Sequence, residues 1–92
     1  MIGKYSINTN SRVIKNKSES IKLTEREVQI ILFLKSSKKP QNIESLQKEV
    51  WGHNSSLETH TVETHIYRLR KKILEKFKDN NFINSTKEGY KI

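Results

Sequence analysis

The segment from residue 59 to residue 73 constrains the fold more than any other part of the chain. Its apolar residues recur at i, i+4, i+7 and i+11, the spacing of an α-helix with one buried side. These residues are Val62, Ile66, Leu69 and Ile73. Such a helix must lay that side against a core, so we expect the rest of the chain to fold around it.

The other side of this helix is polar and mostly basic. It carries Thr61, Thr64, Tyr67, Arg68 and Lys71, with Arg70 and Lys72 on the flanks. The acidic residues are few, whereas a solvated surface helix usually alternates its charges to form i,i+4 pairs. Short hydroxyls beside Arg and Lys suit the major groove of duplex DNA. A plain solvated face, a membrane surface or an acidic protein partner are the alternatives that this pattern leaves open.

The size and charge of the chain limit how many domains it can form and what kind of partner it can bind. A chain of 92 residues makes one domain, and its net charge of +8 indicates a polyanionic partner, with nucleic acid the first candidate. The absence of cysteine excludes disulfides and thiolate metal sites. Apolar runs stay well short of the roughly 18–20 residues that span a bilayer, and no signal-peptide core is present. We expect a cytoplasmic location, no membrane partner and no cofactor.

The order of elements can be predicted from local patterns. Short extended stretches separated by Asn- and Ser-rich turns predict three antiparallel strands over about residues 1–23. Thr24 to Glu27 has the pattern of a capping box, which predicts a helix start, and Pro40 follows its end. Asn42 is suited to cap a second helix that runs to Trp51. Residues 53–60 are expected to form a loop before a third helix over about 61–76, and residues 82–92 a hairpin.

The sequence gives little support for a metal site, an enzyme active site or a site for single-stranded nucleic acid. His60 and His65 are spaced i,i+5, which puts them about 140° apart on a helix and argues against a shared metal ion. His53 has no second ligand at a useful spacing, and no serine has the surroundings of an activated nucleophile. We therefore expect no enzymatic activity. Trp51 and Phe33 could stack on single-stranded nucleic acid, but they are better explained as core residues, and the first helix looks buried on almost all sides.

Several motifs, in order, resemble the DNA-binding effector domain of OmpR/PhoB-type response regulators, a winged-helix fold. They are Leu23-Thr24-Glu25-Arg26-Glu27 at the first helix, Leu46 with Val50-Trp51-Gly52 at the end of the second, Thr61 to Ile73, and Gly89-Tyr90-Lys91-Ile92. The resemblance covers nearly the whole chain. It implies an α+β winged helix-turn-helix fold: about 1–23 as the N-terminal sheet, 24–77 as three helices and 82–92 as the wing. Its implied function is sequence-specific binding of double-stranded DNA in transcriptional regulation.

The resemblance also implies how such a domain works. The third helix enters the major groove and the wing touches the backbone or the neighbouring minor groove. Two copies usually bind tandem half-sites, which implies a dimer on DNA, and the loop over residues 52–60 is implied to contact RNA polymerase. The family's receiver domain is not expected in this chain. The chain would be either an excised C-terminal module or a regulator that never carried a receiver.

Residue roles are carried over by position. Base contacts are expected from Thr64, Tyr67, Arg68 and Lys71, because a Thr methyl can pack on thymine and Arg can bind guanine with two hydrogen bonds. Glu63 would either meet a base or orient a neighbouring Arg, unless it is simply an early-turn acid favoured by the helix dipole. Backbone contacts are expected from His60, Thr61, His65, Arg70, Lys72, Ser85, Thr86 and Lys87.

The wing departs from the commonest family form, which has two glycines before the tyrosine and an arginine at the tip. Here the sequence is Ser85-Thr86-Lys87-Glu88-Gly89-Tyr90. Lys87 can meet a phosphate as a point charge, though without the planar fork of Arg. The alternative function is a basic RNA-binding or protein-interaction module. RNA modules usually interleave exposed aromatics with basic residues, and on the third helix Tyr67 alone has that character.

Overall fold

A computed structural model of the protein describes residues 5–52 and 59–92. Three strands open the fold: β1 (Ser6–Asn8), β2 (Val13–Asn16) and β3 (Glu19–Lys22). They form one antiparallel sheet in the order β1-β2-β3. Ile7 pairs with Ile14, and Ile14 with Ile21, so one isoleucine from each strand lines up across the sheet. This row gives the short strands a common apolar face for the helices to cover.

Helix α1 (Glu25–Ser36) begins as the sequence predicts. The Thr24 side chain accepts a hydrogen bond from the Glu27 amide, and the Glu27 carboxylate accepts one from the Thr24 amide. The expectation that α1 is buried on almost all sides is wrong on one side, where Glu25, Leu32 and Ser36 are exposed. Phe33 and Trp51 are half-buried and pack against the core rather than lying within it.

Helix α2 (Ile43–Leu46) starts after Asn42, whose side chain accepts from the Ser45 amide. It continues as a π-helical turn over Gln47–Trp51, so the second helix runs to Trp51 as expected but changes its hydrogen bonding after Leu46. Gly52 ends the turn with φ of 105°, a conformation that favours glycine. The predicted loop that follows lies largely outside the described residues, since only its last two positions, 59 and 60, belong to the described part of the chain.

Helix α3 (Thr59–Phe77) packs against α1, α2 and β3. It begins two residues earlier than expected. Strands β4 (Asn84–Thr86) and β5 (Gly89–Lys91) then form the antiparallel hairpin that is the wing. Phe82 and Ile83, expected at the start of the hairpin, are buried just before it. The predicted winged helix-turn-helix architecture is therefore confirmed.

A single core joins these elements. Its buried residues come from the sheet, all three helices and the segment before the wing: Tyr5, Ile14, Leu23, Val28, Ile30, Ile31, Leu34, Leu46, Val50, Val62, Ile66, Leu69, Ile73, Phe82 and Ile83. The wing is attached to the helices by a β-bridge between Gln41 and Tyr90, with N–H···O distances of 2.8 Å in both directions. Among the described residues, no helix has the length and apolar character needed to cross a membrane.

Candidate nucleic-acid interface

Helix α3 is fixed in the fold by the apolar stripe that the sequence predicts. Val62, Leu69 and Ile73 have no exposed surface, and Ile66 is 1% exposed. Each fully buried aliphatic side chain of this kind contributes about 1.5–3 kcal/mol of transfer free energy. Because four of them lie along one side of α3, the opposite side of the helix is held facing solvent.

The predicted base-contacting residues meet on that outer side. Tyr67 is 64% exposed, and Arg68 and Lys71 are also exposed. Thr64 is half-buried, and its hydroxyl donates to the His60 carbonyl at 3.0 Å. Its hydroxyl proton is therefore committed within the helix, which leaves an oxygen lone pair and the side-chain methyl for other contacts.

Residues on one flank of α3 contact the π-helical turn that follows α2. The His65 ring meets Trp51 edge-on with 5.1 Å between centroids, and the Arg26 guanidinium lies 5.5 Å from the centre of the same Trp51 ring. Arg26 also donates to the Val50 carbonyl at 2.7 Å. Thr61, on the same part of the helix, is half-buried. This flank is thus anchored to the π-helical turn through aromatic and cationic side chains.

Lys72 is held by the scaffold. Its ammonium group lies 2.7 Å from a carboxylate oxygen of Glu27, which is buried. The neighbouring Lys71 points away from the core and stays exposed. The two adjacent lysines, Lys71 expected at a base and Lys72 at the DNA backbone, therefore have different surroundings.

The wing presents its tip to solvent. Ser85 and Lys87 are exposed, whereas Thr86 is half-buried and shapes the turn. The Thr86 hydroxyl donates to the Gly89 carbonyl at 2.9 Å and accepts from the Glu88 amide at 3.2 Å. Lys87 is the cation nearest the tip, with Glu88 beside it in sequence.

A groove of about 800 Å³ separates α3 from the wing. Its α3 wall includes His60, Tyr67, Arg70 and Lys71, so it lies beside the predicted base-contacting residues. Leu74, which the sequence analysis does not single out, also lines it and is 45% exposed. Leu74 follows Tyr67 by seven residues, two helical turns, and this spacing was the available signal for placing both on one side.

Glu63 is exposed and lines the same groove. Helix α3 begins at Thr59, so Glu63 lies just beyond its first turn. Its role, in base contact, in orienting an Arg or as an early-turn acid favoured by the dipole, stays a prediction. His60 lines the groove while His65 contacts Trp51, and the described residues hold no group of three or more His, Cys, Asp or Glu suited to a metal ion.

Comparison with known proteins identifies the family. Residues 18–92 match the family described as transcriptional regulatory protein, C terminal. The heme response regulator HssR of Staphylococcus saprophyticus is 32% identical over 93 residues, covering 99% of this chain and 41% of HssR. The transcriptional regulatory protein DltR of Streptococcus agalactiae is 30% identical over 94 residues, with the same two coverages. The chain thus spans less than half the length of these relatives.

Solved structures agree with the fold. The DNA-binding domain of E. coli CadC superposes with a TM-score of 0.86 at 23% identity, covering all of this chain and 88% of that one. A streptococcal protein, described within a novel family of redox sensors that evolved from two-component response regulators, gives 0.78 at 28% identity, covering 97% and 39%. The family match and the basic outer side of α3 therefore show that the chain belongs to the OmpR/PhoB-type C-terminal domains of transcriptional regulatory proteins. The function of these domains is sequence-specific DNA binding.

Proposed function

We propose that α3 lies in the major groove of duplex DNA with Thr64, Tyr67, Arg68 and Lys71 toward the base edges. The observation that carries this proposal is that all four share the outer side of a helix whose inner side is fully buried. A rigid set of side chains is what base reading needs, because each bidentate pair depends on the angle of approach. Glu63 extends this set toward the wing.

In this proposal, the flanks of α3 and the wing contact the sugar–phosphate backbone of the DNA. His60, Thr61, His65 and Arg70 lie along α3, and Ser85, Thr86 and Lys87 lie on the wing. Contacts to phosphate set the register of a protein on DNA and dominate its affinity, without selecting a base. The net charge of +8 supports such contacts over a broad surface.

The groove between α3 and the wing is suited to the sugar–phosphate strand that separates a major groove from the next minor groove. Arg70 and Lys71 offer cations on its α3 wall, and Leu74 offers an apolar surface for deoxyribose. The wing then reaches the backbone or minor groove beyond that strand.

Family membership suggests partners besides DNA, namely a second copy of the domain and RNA polymerase. Two copies would bind tandem half-sites as a dimer on DNA, and the segment between α2 and α3 would contact RNA polymerase in the cytoplasm. The domain acts by binding and not as an enzyme. These parts of the proposal rest on family membership alone, since they depend on partners and on residues 53–58, which lie outside the described residues.

Selection of bound duplexes from a random library tests the proposal directly. A shared sequence among the selected duplexes, repeated at a regular spacing, is the expected result, because two copies would occupy two half-sites about one helical turn apart. Recovery without any preferred sequence would leave only non-specific binding, and preferential binding of RNA would favour the alternative function.

Arg68→Ala and Lys87→Ala then separate base reading from backbone contact. Arg68→Ala should weaken binding to the selected duplex by about 1–3 kcal/mol and weaken binding to random DNA much less. Lys87→Ala should weaken both alike and reduce the salt slope of log K by about one. Equal losses for Arg68→Ala on both duplexes would make Arg68 a phosphate contact, and an unchanged slope for Lys87→Ala would remove the wing tip from the interface.

A further inference from the structure

Glu27 is the one buried charged side chain among residues 5–52 and 60–92, at 3% exposed. A carboxylate removed from water is costly unless it is paired and hydrogen-bonded. A capping box alone does not require such burial, because the reciprocal bonds of a helix start form equally well at an exposed surface. The burial of Glu27 therefore needs a further explanation.

One oxygen of this carboxylate joins two parts of the fold. Oε1 of Glu27 accepts from the Thr24 amide at 2.8 Å and from the Lys72 ammonium at 2.7 Å. The same ammonium lies 3.5 Å from the carbonyl of Lys22, at the end of β3. The start of α1, the end of β3 and the C-terminal half of α3 therefore meet at this carboxylate.

This contact adds a directional constraint to the apolar packing that fixes α3 in the fold. The stripe on α3 consists of aliphatic side chains, and burial of such surface is non-directional. A charge-assisted hydrogen bond has a preferred length and angle. Lys72 lies about 100° around the helix from Lys71 and about 100° from Ile73. It is thus on the flank between the outer side and the core, where a fixed contact resists rotation of the helix about its axis.

We propose that Glu27 is a positioning residue for DNA reading, which holds Lys72 and so fixes the rotation of α3 that presents Arg68 and Thr64 to the bases. This inference rests on the proposed function, and it changes the role of Lys72. The sequence pattern assigns Lys72 to phosphate, but its ammonium is bound to Glu27 and its side chain is 39% exposed. Lys72 acts through Glu27, whereas Lys71 beside it meets DNA.

A double-mutant cycle on the free protein tests the pairing. Glu27→Gln keeps the shape and the acceptor for the Thr24 amide, and Lys72→Met keeps the apolar stem without the charge. Each change should lower the melting temperature and speed amide exchange in α3. The double variant should be no less stable than the less stable of the two single variants. Lys71→Met is the matched control and should change neither. Additive effects of the two changes would overturn the pairing.

The same variants are then compared on the duplex selected by the unchanged protein and on random DNA, well below their melting temperatures. Glu27→Gln and Lys72→Met should each reduce the preference for the selected duplex about tenfold, the size of one lost base contact. Neither should reduce the salt slope of log K by about one, which is the change expected when a phosphate contact is lost. Lys72→Arg, which keeps the ion pair, should restore the preference.

Two results would overturn the inference. Equal losses for Lys72→Met on both duplexes, with a slope reduced by about one, would make Lys72 a phosphate contact. An unchanged preference in both Glu27→Gln and Lys72→Met would show that α3 is fixed without them. A protein that selects no preferred duplex would overturn the proposed function instead, and the free-protein cycle alone would then decide whether the ion pair orients α3.

Discussion

Tyr5 joins the N-terminal edge of the fold to the segment that leads into the wing. Its hydroxyl donates to a carboxylate oxygen of Asp79 at 2.6 Å. Its ring packs against Phe77 and Phe82, with 5.1 Å between centroids in both cases. Burial, helped by the hydrogen bond and the negative charge of Asp79, raises the pKa of the Tyr5 hydroxyl above its ordinary value near 10.

The raised pKa predicts a loss of stability in alkali. The unfolded chain ionises this tyrosine above about pH 10, whereas the folded protein holds it protonated, so the stabilisation is complete below pH 10 and falls as the pH rises further. Tyr5→Phe should cost about 1 kcal/mol at neutral pH through the lost hydrogen bond. It should also flatten the decline in unfolding free energy above pH 10, as measured by urea titration. The exposed Tyr67→Phe is the control, and an equally steep decline in Tyr5→Phe would contradict the assignment.

At single residues, the sequence predicts which side of α3 faces outward but not what each flanking residue contacts. The helical period fixes an angle around the axis, so Arg68 and Lys71 could be placed correctly. The partner of Lys72 lies 45 residues earlier in the chain. Because that contact depends on how α1 packs on α3, the local pattern could identify Glu27 as a capping residue and nothing more.

Among the elements, the two helix starts with a capping side chain could be predicted, whereas the interior of the second helix could not. The caps at Thr24 and Asn42 are local hydrogen bonds between residues three apart, and both are formed. The change to π-helical bonding after Leu46 has no such local signature. It coincides with a contact from another element, since Arg26 on α1 donates to the Val50 carbonyl.

The attachment of the wing gives a prediction for Gly89. Its φ of 139° is one that other residues rarely adopt, and an added Cβ would overlap the Gln41 backbone. Gly89→Ala should therefore strain the chain and also separate β5 from Gln41. Gly52→Ala is the matched control, because Gly52 has a φ of 105° but open space around it. Thermal unfolding should show a loss of about 1–3 kcal/mol for Gly52→Ala and a larger loss for Gly89→Ala. Equal losses would show that the contact with Gln41 matters little.

The whole molecule depends on α3 for its core as well as for its interface. Leu69 is completely buried where α3 meets the rest of the fold. Leu69→Ala should cost about 2–5 kcal/mol by leaving a cavity, against a total stability of about 5–14 kcal/mol for a chain of this length. Leu74→Ala, on the exposed side of the same helix, should change the unfolding free energy by about 1 kcal/mol or less. Similar urea midpoints for the two variants would mean that the buried side of α3 is wrongly assigned.

For the molecule as a whole, the order of elements and the winged-helix fold could be predicted, because each element has its own periodicity or cap. The groove between α3 and the wing could not. Its shape depends on the distance between two elements separated by the segment of Phe82 and Ile83. That distance depends on long-range contacts such as the burial of these two side chains and the bridge between Gln41 and Tyr90, which no local pattern reports.

The bridge between Gln41 and Tyr90 has a consequence for the nucleic acid. The hairpin is fastened to the helical scaffold at its base, so its separation from α3 is established before any duplex arrives. Because the distance between α3 and the wing is fixed, any bending or narrowing needed for binding must occur in the duplex. The elastic energy of such a deformation varies with base sequence. If α3 and the wing both dock on DNA as proposed, base steps that no side chain touches are expected to influence affinity through their stiffness, with pliable steps favoured between the two docking points.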